Sequence, residues 1–239
     1  MNIALVGYGK MGKAIEAIAI ERGHEIVLKI STVNKAELIP ENLTKADAVI
    51  EFTNPESAFE NLRTCISAGV PTVCGSTGWL EHRPEIDALV NEKNGSFLYA
   101  SNFSIGVNLF FELNTYLAKL MEAHAEYDVA IEEIHHTAKK DAPSGTAITL
   151  AEQLLSQLSR KKDWVKEIEE KPTDIAIKSV RIDPAPGTHI VTYHSDIDDI
   201  QITHTAHNRS GFAFGAVLAA EYIVGKKGVF VMKDVLGIR

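Results

Sequence analysis

The stretch Asn2-Ile3-Ala4-Leu5-Val6-Gly7-Tyr8-Gly9-Lys10-Met11-Gly12 decides the fold. Residues 2 to 6 form a short buried-strand pattern, and glycines then follow at G-x-G-x-x-G spacing. From Met11, apolar residues recur on one helical face at Ile15, Ile18 and Ala19. Strand, glycine turn and helix in that order are the context this motif requires. Gly7 permits the tight turn, Gly9 lets the backbone approach a pyrophosphate, and Gly12 lets the helix pack close to the strand. The helix N-terminus adds free N–H groups and a favourable dipole for an anion. A turn that is glycine-rich by accident would need none of this order.

Strand and helix go on alternating. Strands are expected at Glu25 to Ile30, Ala48 to Phe52, Pro71 to Cys74 and Phe97 to Ala100, with helices over 56–68 and 84–93. This alternation implies an α/β fold, a parallel sheet with helices on both faces: a Rossmann-type dinucleotide-binding domain. The pattern then changes. Ser104 is a candidate N-cap for a helix reaching about Ala123, Tyr127 to Thr137 is strand-like, and a helix runs from Ala147 to about Lys161. Strand-like runs 175–182, 188–195 and 199–206 follow with no helix between them. They suggest a smaller α+β domain with an antiparallel or mixed open sheet. A small-residue helix over 213–225 is expected to return to the first domain. The division is therefore 1–104 with 213–239 for the dinucleotide, and 105–212 for substrate binding and oligomerisation.

The cofactor follows from the strand ends. No acid stands about 20 residues past the glycine loop, where one would hold the ribose hydroxyls of NAD. Ser31, Thr32 and Lys35 stand there instead and could accept a 2′-phosphate, or Lys35 could be a solvated surface lysine. NADP(H) is favoured and NAD(H) stays open. Ligands of open α/β sheets lie beyond the carboxyl ends of the strands. That rule nominates Phe52-Thr53, Gly75-Ser76-Thr77 and Ser101-Asn102-Phe103, beside the loop residues Gly7, Tyr8, Gly9, Lys10, Met11 and Gly12.

The composition is that of an ordinary globular chain: 239 residues, 45% hydrophobic and 23% charged. A formal charge of −8 argues against nucleic acid or an anionic membrane as the main partner. It leaves room for an anionic small molecule in a local basic pocket. Cys65 and Cys74 are read as reduced core thiols, and no His/Cys cluster has zinc spacing, so no metal is expected. Neither a signal-peptide pattern nor a membrane-length apolar run is found, so a cytoplasmic location is expected.

The chemistry is expected in Glu133-Ile134-His135-His136-Thr137-Ala138-Lys139-Lys140-Asp141-Ala142-Pro143-Ser144-Gly145-Thr146-Ala147. A histidine can donate or relay a proton near neutral pH. Lys139 adds a positive charge for a carboxylate or a second proton. A helix beginning near Thr146 would present N–H groups and a hydroxyl to a carboxylate. One tension is visible: on a continuing strand His135 and His136 would face opposite sides. If both touch one ligand, the strand must end or twist near His136.

That segment closely resembles the signature of the dihydrodipicolinate reductase family, Glu-x-His-x-x-x-Lys-x-Asp-x-Pro-Ser-Gly-Thr-Ala. Its places are held by Glu133, His135, Lys139, Asp141, Pro143, Ser144, Gly145, Thr146 and Ala147. The glycine loop, Glu51-Phe52-Thr53, Gly75 to Gly78, Asn102 to Asn108 and the tail from Phe214 to Leu236 also look like that family. The chain departs from its usual pattern at Ala130, Thr137 and Ala138 and in lacking the acidic ribose partner. The resemblance implies NAD(P)H-dependent reduction of a small heterocyclic dicarboxylate, 4-hydroxy-tetrahydrodipicolinate, to tetrahydrodipicolinate on the path to diaminopimelate and lysine. It implies His135 as proton donor or relay and Lys139 as a second donor. It also implies His136, Lys139, Gly145 and Thr146 as substrate contacts and a homotetramer built through the second sheet. Arg209 is left between substrate binding and a structural ion pair.

Two other readings compete. Another two-domain dehydrogenase would share the glycine loop but has no need of the Ser144-Gly145-Thr146-Ala147 helix start. A redox-sensing protein that binds NAD(P) and a partner has no need of His135 or Lys139.

Overall fold

In the computed structural model, residues 1–167, 171–208 and 210–238 are described. Arg209, left open above, lies outside them. The chain divides into two compact units, Met1–Ile105 with Ser210–Arg239, and Gly106–Arg209.

The first unit carries strands β1 (Asn2–Val6), β2 (Glu25–Ile30), β3 (Ala48–Glu51), β4 (Thr72–Cys74) and β5 (Ser96–Tyr99). Between them run helices α1 (Lys10–Glu21), α2 (Pro40–Leu43), α3 (Pro55–Ser67) and α4 (Arg83–Glu92). The second unit carries α5 (Ile105–Met121, its first residue in the first unit), β6 (Asp128–His135), α6 (Gly145–Gln157), β7 (Asp163–Lys166), β8 (Asp174–Arg181), β9 (Gly187–His194) and β10 (Asp199–Ala206). The chain ends in the first unit with α7 (Ser210–Ile223), β11 (Gly228–Phe230) and α8 (Met232–Leu236).

The first sheet is parallel throughout, in the order β11-β5-β4-β3-β1-β2. Strands β1, β3 and β4 are almost wholly buried because helices cover both faces, the pattern of a buried parallel sheet. Strand order reverses between β2 and β3 on either side of β1, so the crevice of an open sheet is set at the carboxyl ends of β1 and β3. There Phe52 N donates to Val6 O at 2.8 Å and Gly7 N to Ile30 O at 2.9 Å. Helix α7 does return to this sheet. Its Ala213, Ala216, Val217, Ala220 and Ile223 join Ile3, Leu5, Ile50 and Leu98 in one core. Its Gly215 lies so close that a Cβ there would stand 1.8 Å from Phe103 O.

The second sheet is mixed, ordered β10-β9-β6-β8-β7. Strands β6, β7 and β8 are parallel, and β9 and β10 antiparallel. Helix α6 packs Ala147, Leu150, Ala151 and Leu154 over one face, against Val129, Ile131, Ile175, Ile177 and Val191. The expected helix to about Lys161 is shorter: α6 stops at Gln157, and Leu158, with ψ 97, turns out of it. Lys161 is then buried, and its Nζ donates to the carbonyls of Pro172 and Asp174 at 2.9 and 2.6 Å. Strand β7, which the pattern did not suggest, starts from there. Cys65 and Cys74 are free and buried, and burial pushes both thiols far up from their usual range.

Candidate active site

In the first unit, the glycine loop runs from the end of β1 into the first turn of α1. Gly7 has φ +102 and a Cβ there would stand 1.9 Å from Phe52 O, so only glycine is tolerated. A Cβ on Gly12 would lie 2.3 Å from Gly7 O, which is the close helix–strand packing expected of it. Gly9 differs: a Cβ there would meet nothing within 4 Å. Its backbone faces open space at the start of a helix with no side-chain cap and no acid in its first turn.

Two adjoining cavities open there. One, of about 300 Å³, is lined by Gly7, Tyr8, Gly9, Ser31, Thr32, Lys35, Phe52 and Thr53, and also by Asn54, Ser57 and Asn61. The other, of about 360 Å³, is lined by Gly9, Lys10, Met11, Phe52, Thr53, Gly75, Ser76 and Thr77. The structure thus gathers most of the nominated nucleotide residues at the crevice. Ser101, Asn102 and Phe103 line neither cavity. Phe103 is 2% exposed and packs its ring 5.5 Å from that of Phe52, which places it in the core. An uncapped helix N-terminus, an open glycine backbone and a cleft at the switch point fit a dinucleotide.

Glu51 organises the crevice from beneath. It is fully buried and accepts hydrogen bonds from Thr53 N at 3.1 Å, Ser76 Oγ at 3.1 Å, Cys74 Sγ at 3.2 Å and Thr53 Oγ1. One carboxylate therefore ties the loop after β3 to the loop after β4. Asn54, Ser57 and Asn61 escaped the sequence reading. The signal was there in Asn54-Pro55, a helix start in which Asn54 Oδ1 accepts from Ser57 N at 2.9 Å.

In the second unit, β6 ends at His135 and the chain turns at once, Lys139 N donating to His136 O at 3.1 Å. The strand ends before His136, so strand alternation does not hold the two histidines on opposite sides. His135 is buried at the strand end and His136 is half-buried in the turn. Lys139 Nζ donates to both oxygens of Asp141 at 2.8 Å. Ser144 caps α6, its Oγ accepting from Ala147 N at 3.2 Å, so the helix starts at Gly145 with Thr146 in its first turn.

Beneath this turn lies a polar cluster of buried Glu133, His135, Ser144 and His189 with half-buried Ser179 and Arg181. Glu133 Oε1 accepts from Ser179 Oγ at 2.8 Å and Arg181 Nη2 at 2.9 Å. Its Oε2 lies 3.2 Å from His135 Nδ1. Burial opposes the charge on Glu133, but hydrogen bonds from His135, Ser144, Arg181 and Ser179 outweigh it and hold the carboxyl far below the usual carboxylate range. Burial, and then the neighbouring His135, lower the His189 imidazole to about 4 against the opposing pull of Glu133. The ligand atoms of Glu133, His135 and His189 lie within 4.8 Å of one another. The Arg181 guanidinium meets the other oxygen of that carboxylate.

Three comparisons bear on this arrangement. Family models described as dihydrodipicolinate reductase, N-terminus and C-terminus, match residues 1–103 and 106–236. A 4-hydroxy-tetrahydrodipicolinate reductase of Christiangramia forsetii is 50% identical over 99% of this chain and 98% of its own. One of Methanoculleus marisnigri is 36% identical over 96% of each. Among solved structures, a dipicolinate-bound dihydrodipicolinate reductase from Paenisporosarcina sp. TG-14 superposes with a TM-score of 0.79 at 23% identity over 97% of each chain, a likeness of fold.

Proposed function

The chain belongs to the dihydrodipicolinate reductase family, and from that premise we propose how its residues divide the work. It is an NAD(P)H-dependent oxidoreductase that reduces 4-hydroxy-tetrahydrodipicolinate to tetrahydrodipicolinate, on the path to diaminopimelate and lysine. Replacing the 4-hydroxyl by hydrogen consumes one NAD(P)H and one proton and releases one water.

The first unit holds the nucleotide and the second the substrate. The carrying observation is the turn from His135 to Thr146, where an imidazole, an ammonium group and a helix N-terminus follow within a dozen residues. The nicotinamide, when bound, supplies the hydride. Gly7 to Gly12 receive the pyrophosphate, and Phe52, Thr53 and Gly75 to Thr77 line its path. Lys139 and the first N–H groups of α6, at Gly145 and Thr146, receive the substrate's carboxylates, with His136 beside them. His135 gives the proton that quenches the charge left by hydride addition, and Lys139 is a second donor. Arg209 keeps the part left open for it.

No acid lines the cavity that holds Ser31, Thr32 and Lys35, which supports NADPH over NADH. Titrating both dinucleotides against the protein tests this; equal or tighter binding of NADH would overturn the preference. The activity itself is tested by NAD(P)H oxidation while the synthase product is generated in situ. No oxidation with either cofactor would sink the assignment.

The same reading makes the protein cytoplasmic and homotetrameric. Among the described residues no helix is long and apolar enough to cross a membrane. Ile182, Ile197 and Ile200 are exposed beside β8 to β10, at 56%, 88% and 38%, which supports assembly through that sheet. Light scattering of the purified chain gives the mass that decides it.

A further inference from the structure

Glu133 takes no step in the reaction set out above, yet the second sheet is built around it. Residues i and i+2 of a strand share a face, so Glu133 and His135 point the same way from β6. The register places Ser179 of β8 and His189 of β9 level with Glu133 on either side. Ser179 and Arg181 occupy Oε1, at 2.8 and 2.9 Å. The other oxygen faces His135 Nδ1 at 3.2 Å.

His189 does not compete for that oxygen. Its Nε2 is 3.9 Å from Glu133 Oε2 but 3.1 Å from Ser144 Oγ. Its ring stands edge-on to that of His135 with centroids 5.1 Å apart, so it walls the imidazole in place. On the far edge of the His135 ring, Nε2 faces Gly187. A Cβ at Gly187 would lie 3.1 Å from Nε2 and 3.3 Å from Cδ2. One ring nitrogen is thus held against a carboxylate, and the other is kept clear by a missing side chain.

We propose that Glu133 is a positioning residue: its carboxylate keeps a proton on His135 Nδ1, so that the proton delivered to substrate leaves from Nε2 on the Gly187 side. This rests on His135 being the proton donor. Loss of the 4-hydroxyl as water leaves a conjugated imine, and when hydride adds to one end of it the electron pair moves to the other end. There it takes the Nε2 proton of the imidazolium. The ring is left neutral with its remaining proton on Nδ1, facing Glu133, and is recharged from water. An ionised Glu133 also balances the imidazolium before transfer, while Arg181 and Ser179 prevent the carboxylate from swinging away.

The ring ¹⁵N shifts of the full chain test the tautomer without altering Glu133, with His135 assigned by its absence in His135→Asn. Neutral His135 is expected as the Nδ1–H form; an Nε2–H form overturns the proposal. Kinetics test its consequence. In Glu133→Gln, kcat is expected to fall by about 10²–10⁴-fold, the range for removing a carboxylate that fixes a catalytic imidazole. KM for substrate and cofactor should stay within about threefold. Glu133→Asp should recover part of the rate. Gly187→Ala should also lower kcat, through the methyl group at Nε2. If His135→Asn is slow but Glu133→Gln keeps its kcat, the positioning role is wrong and the proton donor stands. If His135→Asn itself keeps its kcat, the donor assignment is what fails.

Discussion

Lys139 Nζ lies 2.8 Å from each oxygen of Asp141, a bidentate pair two residues long at the mouth of the candidate site. Asp141 is 60% exposed and Lys139 is 21% exposed, so the pair contributes little to stability. It does keep the ammonium group aimed along the turn. A substrate carboxylate has to compete with Asp141 for it, and the two acids are chemically alike. Lys139→Ala should therefore lower turnover by about 10²–10⁴-fold, the usual effect of a lost proton donor. The dissociation constant for NADPH should not change. Lys139→Arg keeps the charge but cannot give up a proton near pH 7. It should restore KM and leave kcat low. A Lys139→Ala protein that lost nucleotide binding equally would mean that the two units do not divide the ligands as proposed.

Gly9 and Gly7 separate packing from ligand binding within one loop. A Cβ at Gly9 meets nothing of the protein within 4 Å, whereas one at Gly7 collides with Phe52 O at 1.9 Å. Gly9→Ala should fold with an unchanged melting temperature and bind NADPH at least tenfold more weakly, because the methyl group occupies the pyrophosphate's approach. Gly7→Ala should unfold or fail to accumulate. Unchanged NADPH affinity in Gly9→Ala, measured by fluorescence titration, would place the pyrophosphate elsewhere.

The same contrast holds at the head of α6. Gly145 has open space where a Cβ would go, and its φ is not left-handed. Alanine at a helix's first position costs the fold nothing and lowers the entropy of the unfolded chain. Gly145→Ala should therefore melt at the same temperature or slightly higher, yet raise the substrate KM by about tenfold or more if a carboxylate sits against that backbone. Unaltered KM would remove Gly145 from the substrate contacts.

Much of this was legible in the sequence. Parallel strands covered on both faces read as apolar runs between glycine and proline breaks, so β1 to β5 and helices α1, α3 and α4 stood out, as did the long alternating strands of the second sheet, while the short α2 and β11 passed unnoticed. Strand β7 did not. It has four residues, Asp163-Trp164-Val165-Lys166, charged at both ends and nowhere fully buried, at the edge of the sheet. The helical period of α6 hid it by running on past Gln157. The segment from His135 to Thr146 was legible because its residues are local. The cluster under it was not, because Ser179 and Arg181 reach Glu133 from 46 and 48 residues away. Only the β6–β8 register brings them together, and one sequence does not state a register.

Tyr193 shows a place where the fold tolerates a cost. Its side chain is fully buried in the core under α6, and its hydroxyl has no hydrogen-bond partner among the described residues. Burial pushes the phenol far up from its usual range, so it is neutral throughout. A buried hydroxyl without a hydrogen bond costs about 1–3 kcal/mol relative to an apolar surface of the same shape. Tyr193→Phe removes the oxygen and keeps the ring. Denaturant unfolding should show this variant to be as stable as the parent or up to about 2 kcal/mol more stable. A loss of more than about 1 kcal/mol would mean that the hydroxyl has a partner, such as a trapped water.

His189 sets a pH limit on the second unit. Burial, with the neighbouring His135, lowers its imidazole to about 4 from an ordinary value near 6.5. The unfolded chain therefore takes up a proton that the folded chain refuses. The stability tied to His189 is complete above pH 6.5 and is lost as pH falls towards 4, about 3 kcal/mol in all. Glu133 works in the same direction but in another window. Its hydrogen-bonded carboxyl is held far below the ordinary range, so its contribution begins to fall only under about pH 4.5. Between pH 6.5 and 4.5 the imidazoles act alone, with His204 adding a smaller effect of the same sign from its own partial burial. His189→Asn keeps a polar group near Ser144 and cannot take a proton. It should be less stable than the parent at pH 7.5, and its stability should fall less between pH 6.5 and 4.5. If its unfolding free energy fell as steeply as the parent's across that interval, His189 would not be the group that the folded state keeps neutral.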